Sequence, residues 1–172
     1  MPELRTRPMT PEELDGLRDR INREYAAEHV AAGTWDAADA EARAAEQLDE
    51  LLPQGVDTPG VLLLVAETPD GTVIGHLWLA LERQPGSGRG AWIYDIEILA
   101  EHRGRGFGRA LLGAAEDEVA RHGGHTIGLN VFGTNIVARE LYESAGYRVA
   151  AMQLTKEVGE SEAPGDDHPD GP

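Results

Sequence analysis

The amino-acid sequence predicts an α/β or α+β domain with a mixed, mostly antiparallel central sheet flanked by helices. The prediction depends on the order of the segments. Two amphipathic helical segments come first, three apolar strand segments separated by turns follow, and a strand, a glycine-rich loop and a helix then form a crossover unit. Hairpins pair strands antiparallel and a strand–helix–strand crossover pairs them in parallel, so both kinds of pairing are expected in one sheet.

The first predicted element is a helix over 10–30. Thr10, Pro11 and Glu13 form the pattern of a capping box with proline at the first helical position. Apolar residues then share one helix face: Leu14, Leu17, Ile21 and Tyr25. A second helix is predicted over 36–52, where alanines and leucines recur on one stripe until a proline ends it.

Three strands are predicted next. Those over 61–66 and 73–81 flank the turn sequence 69–71, which indicates a hairpin. A Gly- and Ser-rich turn over 85–90 precedes the third strand, over 92–99. In that strand, simple alternation places Tyr94, Ile96 and Ile98 on one face and Asp95, Glu97 and Leu99 on the other. Carboxylates on a strand with a central position are unusual, so they are candidate functional groups.

The glycine-rich loop over 103–109 has the sequence Arg-Gly-Arg-Gly-Phe-Gly-Arg and precedes a helix that begins near Phe107. Glycines permit a left-handed backbone and the close approach of a ligand, and the amides of a helix start attract anions. A pyrophosphate suits such a loop, although glycines also close tight turns for structural reasons. The loop lacks the Lys-Ser or Lys-Thr of a Walker loop and has a different spacing from a dinucleotide fingerprint, so both of those interpretations are weak.

Three further elements complete the predicted order. The helix from Phe107 ends at two glycines, 123–124, and a strand follows over 126–131. A helix over 135–145 and a last strand over 147–155 come after it.

Length and residue composition limit the number of domains and the kinds of site that we expect. The chain has 172 residues and no cysteine, so we expect one domain, over 1–156, without disulfides or thiolate metal sites. Residues 157–172 contain six acidic residues and no lysine or arginine, which predicts an acidic, disordered tail. The six histidines show no spacing typical of a metal site, so no metal is expected.

Net charge and hydropathy limit the partners and the cellular location that we expect for this protein. The formal net charge of −16 at pH 7 argues against nucleic acid as a partner, because a phosphate backbone attracts clustered cations. The chain shows no apolar signal segment and no apolar run of the roughly 20 residues that span a bilayer. We therefore expect a cytoplasmic protein with no membrane partner.

Three motifs follow one another in the second half of the chain: the loop Arg103-x-x-Gly106-x-Gly108, Asn135, and the ending Leu141-Tyr142-x-x-x-Gly146-Tyr147. Together they resemble the GNAT family, the Gcn5-related N-acetyltransferases. The resemblance is specific over about 93–147. It implies a GNAT-like fold in which acetyl-CoA, the implied cofactor, lies in a V-shaped opening between two strands.

The resemblance also implies which residues bind the cofactor. Backbone groups of the third strand would hydrogen-bond the pantetheine arm, and the loop would hold the pyrophosphate. Asn135 would contact the cofactor, and Tyr142 would lie near its reactive end. An asparagine at a helix N-cap needs no ligand to explain it, so a purely structural Asn135 stays open. The implied cofactor-binding residues are Ile96, Glu97, Ile98, Arg103, Gly104, Arg105, Gly106, Phe107, Gly108, Arg109, Asn135 and Tyr142.

Two residues are the catalytic candidates, Tyr142 and Glu97. Tyr142 matches the position from which family members protonate the departing CoA thiolate; the alternative is a tyrosine that only packs on its helix. Amine acetylation also needs an unprotonated acceptor nitrogen, and an amine with a pKa near 10 must lose a proton first. Glu97 is the first candidate base and Asp95 the second, although either carboxylate could instead pair with an arginine or face solvent.

The function implied is that of a transferase, an acetyl-CoA-dependent N-acetyltransferase in which a primary amine attacks the thioester directly. The acceptor, a small-molecule amine or an amino group of a peptide or protein, stays open, and so does a homodimer, which is common in the family. A CoA-binding sensor or interaction module without turnover is the alternative. Trp35 and Trp78 could line an acceptor pocket, but a core position is at least as strongly expected.

Overall fold

The first helix begins where its capping pattern predicts. In the computed structural model, which describes residues 2–82, 90–154 and 156, helix α1 spans Pro11–Ala31. The Thr10 hydroxyl accepts a hydrogen bond from the Glu13 amide, and the Glu13 carboxylate accepts one from the Thr10 amide at 2.9 Å. The predicted capping box is therefore confirmed.

Helix α2 spans Ala40–Leu51 and begins later than predicted. The Asp36 carboxylate accepts a hydrogen bond from the Ala38 amide at 3.0 Å, which closes a turn before the helix. Aspartate commonly competes with helical backbone bonding in this way.

The described residues form a five-stranded sheet in the order β1-β2-β3-β4-β5. The strands are β1 Arg5–Pro8, β2 Val61–Glu67, β3 Val73–Ala80, β4 Ala91–Ile98 and β5 Ile127–Leu129. The first four are antiparallel neighbours, and β5 lies parallel to β4. The mixed, mostly antiparallel sheet is thus confirmed. β1 is an addition to the predicted elements, since its four residues show no apolar alternation.

Two more helices follow β4 and β5 in the chain. Helix α3, Phe107–Arg121, makes the crossover from β4 to β5, and helix α4, Ile136–Ser144, follows β5. No helix in the described part of the chain has the length and apolar character that crossing a membrane would need.

The sheet separates two apolar clusters. On one face, Leu14, Leu17 and Leu48 of α1 and α2 pack with the buried Trp78 of β3. On the other face, α3 packs on the neighbouring β3 residues, and α4 adds partly buried side chains. The largest fully buried side chains of that second cluster are Ile74, Leu77, Leu79, Leu111 and Leu112. The core position expected for Trp78 is confirmed.

A β-bulge in β4 changes the predicted alternation. The pairing of β3 with β4 shifts between Trp78 and Leu79, so that Tyr94 is the extra residue of β4. The Tyr94 ring lies 5.0 Å from the Trp78 ring, centroid to centroid, in the cluster beneath α1 and α2. Ile96 and Ile98 pack in the opposite cluster. The prediction that Tyr94 shares their face is therefore wrong, because one inserted residue reverses the alternation.

The predicted last strand is also wrong for the residues described. Residues 147–154 form no strand, and 148–154 are exposed. Val149 and Met152 would fall on opposite sides of such a strand, so it would present no single apolar face to bury. Thr155, the tail over 157–172 and most of the predicted turn over 85–90 lie outside the described residues.

Candidate active site

The strands β4 and β5 separate partway along β4. They pair only between Ala91–Ile93 and Ile127–Leu129, where β5 ends. From 94 to 98, β4 continues as the neighbour of β3 alone within the described sheet. This confirms the predicted V-shaped opening. One backbone edge of β4 therefore faces the opening, and such an edge can bind an extended ligand as an added strand would.

The glycine-rich loop has the left-handed backbone that its sequence predicts. The φ angles are +73° at Gly104 and +84° at Gly106, a region in which a side chain causes strain. A Cβ at Gly104 would meet no atom within 4 Å, so the loop borders open space. Gly106 is the N-cap of α3, and no side chain caps this helix in the described residues. The first-turn amides of α3 are therefore available to an anion.

The loop is also packed against α4. A Cβ at Gly108 would lie 3.0 Å from Leu141 Cδ2, so the third glycine permits close packing of the two helices. The Arg109 guanidinium donates hydrogen bonds to the Ser144 carbonyl oxygen at 2.9 Å and to Ser144 Oγ at 2.5 Å. The side chain of Arg109 thus holds α4, while its backbone amide belongs to the helix start.

Arg103 bridges the loop and the open edge of β4. Its Nε donates to the Ile98 carbonyl oxygen at 2.7 Å, and its Nη2 lies 3.0 Å from Glu97 Oε1. The Arg103 side chain is 60% exposed. The Arg103 guanidinium therefore remains accessible to a ligand at the end of the opening nearest to the loop.

The two carboxylates of β4 lie beside His76 of β3 and beneath α1. Glu97 forms ion pairs with Arg20 of α1 and with Arg103. Asp95 forms a hydrogen bond with Nε2 of His76, and Nδ1 of the same ring lies 3.8 Å from Glu97 Oε2. The arginine-paired alternative is therefore observed for Glu97. The two predicted carboxylates are brought together with a histidine between them.

Tyr142 lies partly buried on the α4 side of the opening. It packs against the second apolar cluster, and its ring centroid is 5.9 Å from that of Tyr147. Burial raises the pKa of Tyr142 above its ordinary value of 10, and the negative charges of Asp95 and Glu28 raise it further. The phenol is therefore protonated at neutral pH.

Three polar residues near the opening are absent from the predicted set. Burial, then the charges of Asp95 and Glu24, raises the pKa of Glu28 on α1. Burial and then Glu28 raise the pKa of Tyr25, one helical turn away. His76 is the third, and its signal in the sequence is a histidine within an apolar strand, which needs a polar partner when buried. Tyr25 and Glu28 share a helix face with the predicted apolar stripe, which is a weaker signal.

Two other candidate residues have structural partners. Asn135 caps α4, because its Oδ1 accepts a hydrogen bond from the Ala138 amide at 3.1 Å. A contact between Asn135 and the cofactor stays a prediction. Trp35 stacks on His29 of α1 with ring centroids 3.9 Å apart and packs beside the alanine cluster between α1 and α2.

Comparison with known proteins assigns the family. The family model described as Acetyltransferase (GNAT) family matches residues 18–147. This chain belongs to the GNAT acetyltransferase family. The enzyme class implied by the loop, the opening and the tyrosine is thus an acetyltransferase.

Several GNAT relatives resemble this chain over most of its length. The uncharacterized N-acetyltransferase YycN of Bacillus subtilis is 30% identical over 151 residues, which cover 88% of this chain and 96% of YycN. The crystal structure of YycN matches with a TM-score of 0.84 and covers 92% of this chain and 100% of the YycN chain. A mycothiol acetyltransferase of Kytococcus sedentarius is 30% identical over 155 residues, which cover 90% of this chain but 49% of that protein. The match to the YycN structure shows that this chain has the same fold as YycN.

Proposed function

We propose that the protein transfers the acetyl group of acetyl-CoA to a primary amine by direct attack of the amine on the thioester. The observation that carries the proposal is the open edge of β4, the strand that carries Asp95, beside a glycine-rich loop and the uncapped start of α3. Asp95 on β4 would provide a base for the amine, and the phenol of Tyr142 on α4, whose pKa is raised by burial, would provide an acid for the leaving group.

The donor site in this proposal is the loop together with the open edge of β4. The amides over 104–109 would bind the pyrophosphate, and Arg103 would add a positive charge at the same end. The backbone over 96–98 would hydrogen-bond the pantetheine arm, with Asn135 as a further contact near α4. The open space beside Gly104 and the uncapped start of α3 fit a bound pyrophosphate.

The reaction needs two proton transfers from nitrogen and one to sulfur. The ammonium form of the acceptor first loses a proton to a carboxylate, Glu97 or Asp95, because only the free amine has a lone pair to donate. The nitrogen then bonds to the acetyl carbon as the carbon–sulfur bond breaks, and Tyr142 protonates the departing sulfur. Loss of the second proton from nitrogen and return of a proton to Tyr142 leave an amide, a free CoA thiol and one released proton.

Free-thiol release from acetyl-CoA tests the proposal. The acceptor panel contains spermidine, tryptamine, kanamycin and a peptide with a free N-terminus and one lysine. We expect thiol release that depends on at least one of these amines, with the acetylated product identified by mass spectrometry. A thermal shift with acetyl-CoA and no thiol release with any amine would contradict turnover and support a CoA-binding sensor or interaction module.

A further inference from the structure

We propose that His76 is a positioning residue that holds Asp95 as the base for the acceptor amine. The inference rests on the proposed acetyl transfer and decides which carboxylate of β4 accepts the proton. It assigns Glu97 to the ion-pair network that joins the loop to α1.

Glu97 is occupied by cations from two directions. Arg20 of α1 pairs with Oε2, and Nη2 of Arg103 lies 3.0 Å from Oε1. The Glu97 side chain is 19% exposed. An amine that delivered a proton to Glu97 would have to displace one of the two guanidinium groups. The ion pair with Arg20 and the charge-assisted hydrogen bond from Arg103 both oppose that displacement.

One carboxylate oxygen of Asp95 is held by a hydrogen bond, and the Asp95 side chain is more exposed than that of Glu97. Its Oδ2 accepts a hydrogen bond from Nε2 of His76, and the side chain is 32% exposed. In the part of the chain that the structure describes, no arginine or lysine pairs with Asp95. The histidine therefore fixes the carboxylate, and Oδ1 remains for an amine that enters from solvent.

His76 is held in a single orientation. Its side chain is 7% exposed, it lies on β3 opposite β4, and its Nδ1 is 3.8 Å from Glu97 Oε2. A rotation of the ring would remove the contact with Asp95 and leave a buried donor without its acceptor, which costs free energy. The pairing of β3 with β4 thus places a fixed donor, Nε2 of His76, within hydrogen-bonding distance of the Asp95 carboxylate and not of Glu97.

Asp95 also lies at the place where the proposed reaction requires a base. It follows Tyr94, the bulge residue, at the point where β4 departs from β5. Its negative charge also contributes, after burial, to the raised pKa of Tyr142, the proposed acid. Glu28 of α1, whose pKa is raised by burial and by the charge of Asp95, is the rival base.

The test measures kcat and KM with the panel amine that gives the fastest thiol release. We expect Asp95→Asn to lower kcat by about 100-fold or more, with a smaller change in KM for acetyl-CoA. Glu28→Gln and Glu97→Gln should lower kcat by clearly smaller factors. Asp117→Asn, at an exposed position of α3, is the matched control for loss of a carboxylate.

Two substitutions of His76 separate positioning from packing. Gln supplies an amide donor near the place of Nε2, whereas Leu fills the volume without a donor. We expect His76→Gln to keep most of kcat and His76→Leu to lose about tenfold or more. A packing role predicts the reverse order, since Leu suits an apolar strand better. His125→Gln, at an exposed position, is the control.

The outcomes distinguish this inference from the proposed function. If Asp95→Asn keeps its thiol release while Glu97→Gln or Glu28→Gln loses it, the inference is wrong and the proposed acetyl transfer still stands. Equal kcat values for the two His76 variants would have the same meaning. Absence of release by the wild-type protein would overturn both.

Nitrogen-15 NMR of His76 gives a readout that does not depend on turnover. We expect the proton of the neutral His76 ring to be on Nε2. A proton on Nδ1, with none on Nε2, would contradict the inference.

Discussion

Arg109 at the start of α3 binds Ser144 at the end of α4 through two hydrogen bonds, to the carbonyl oxygen at 2.9 Å and to Oγ at 2.5 Å. The bond to the carbonyl satisfies an acceptor that the helix end leaves without a helical partner. It also joins the glycine-rich loop to the helix that carries Tyr142. The proposed donor site and the proposed acid are therefore positioned relative to each other by one side chain.

Removal of this side chain should affect catalysis more than donor binding. We expect Arg109→Ala to lower kcat about tenfold, because a small shift of the acid is enough to weaken proton transfer. The Kd for acetyl-CoA should change less, since the Arg109 amide remains. Isothermal titration and thiol release measure the two quantities. Arg121→Ala, at the other end of α3, is the control, and equal effects of the two variants contradict the positioning role.

The two glycines Gly106 and Gly113 should respond to alanine in opposite directions. Gly106 has a φ of +84°, so Gly106→Ala should lower the free energy of unfolding by about 1 kcal/mol and weaken acetyl-CoA binding. Gly113 lies within α3, and a Cβ there meets no atom within 4 Å. Gly113→Ala should therefore raise the free energy of unfolding by about 0.5–1 kcal/mol. Urea denaturation measures both; destabilisation by both variants would contradict the backbone argument.

The start of α1 should lose stability in acid. Hydrogen bonds from Arg7 and from the Thr10 amide lower the pKa of Glu13 from 4.5 to about 2. Because the folded-state pKa is depressed, the stabilisation is fully present above pH 4.5 and is lost as the pH falls toward 2. Glu13→Gln should cost about 1 kcal/mol at pH 7, a value reduced for solvent screening of a partly exposed pair.

Urea denaturation of Glu13→Gln and wild type at pH 7 and at pH 3 measures this effect. The difference in the free energy of unfolding should shrink at the lower pH. Glu12→Gln, an exposed acid in the same turn, is the control. A difference for Glu13→Gln that is the same at both pH values would contradict the assigned ionisation.

Local sequence patterns predict the helices and the loop well. The capping box of α1 and the glycines of the loop depend on neighbours within a few residues, so their geometry is visible in the sequence. The order of strands and helices likewise predicts a mixed sheet. The crossover through α3 then requires β4 and β5 to be parallel.

Long-range pairing explains what the sequence does not predict. The bulge at Tyr94 depends on the register of β4 against β3, which alternation within one strand does not contain. The contact between His76 and Asp95 joins residues from different strands, and the pairing of Glu97 with Arg20 joins a strand to α1. The predicted final strand also depends on long-range pairing, and 148–154 pair with no strand of the described sheet.

Acceptor-dependent thiol release by the Tyr142→Phe variant is the most direct test of the proposed acetyl transfer. The raised pKa keeps the Tyr142 phenol protonated at neutral pH, so its removal should lower kcat by about 10- to 100-fold. The Kd for acetyl-CoA should stay nearly unchanged, because the loop and the edge of β4 are intact. Tyr147→Phe, a neighbouring phenol, is the control. A Tyr142→Phe variant with the wild-type kcat would contradict the account.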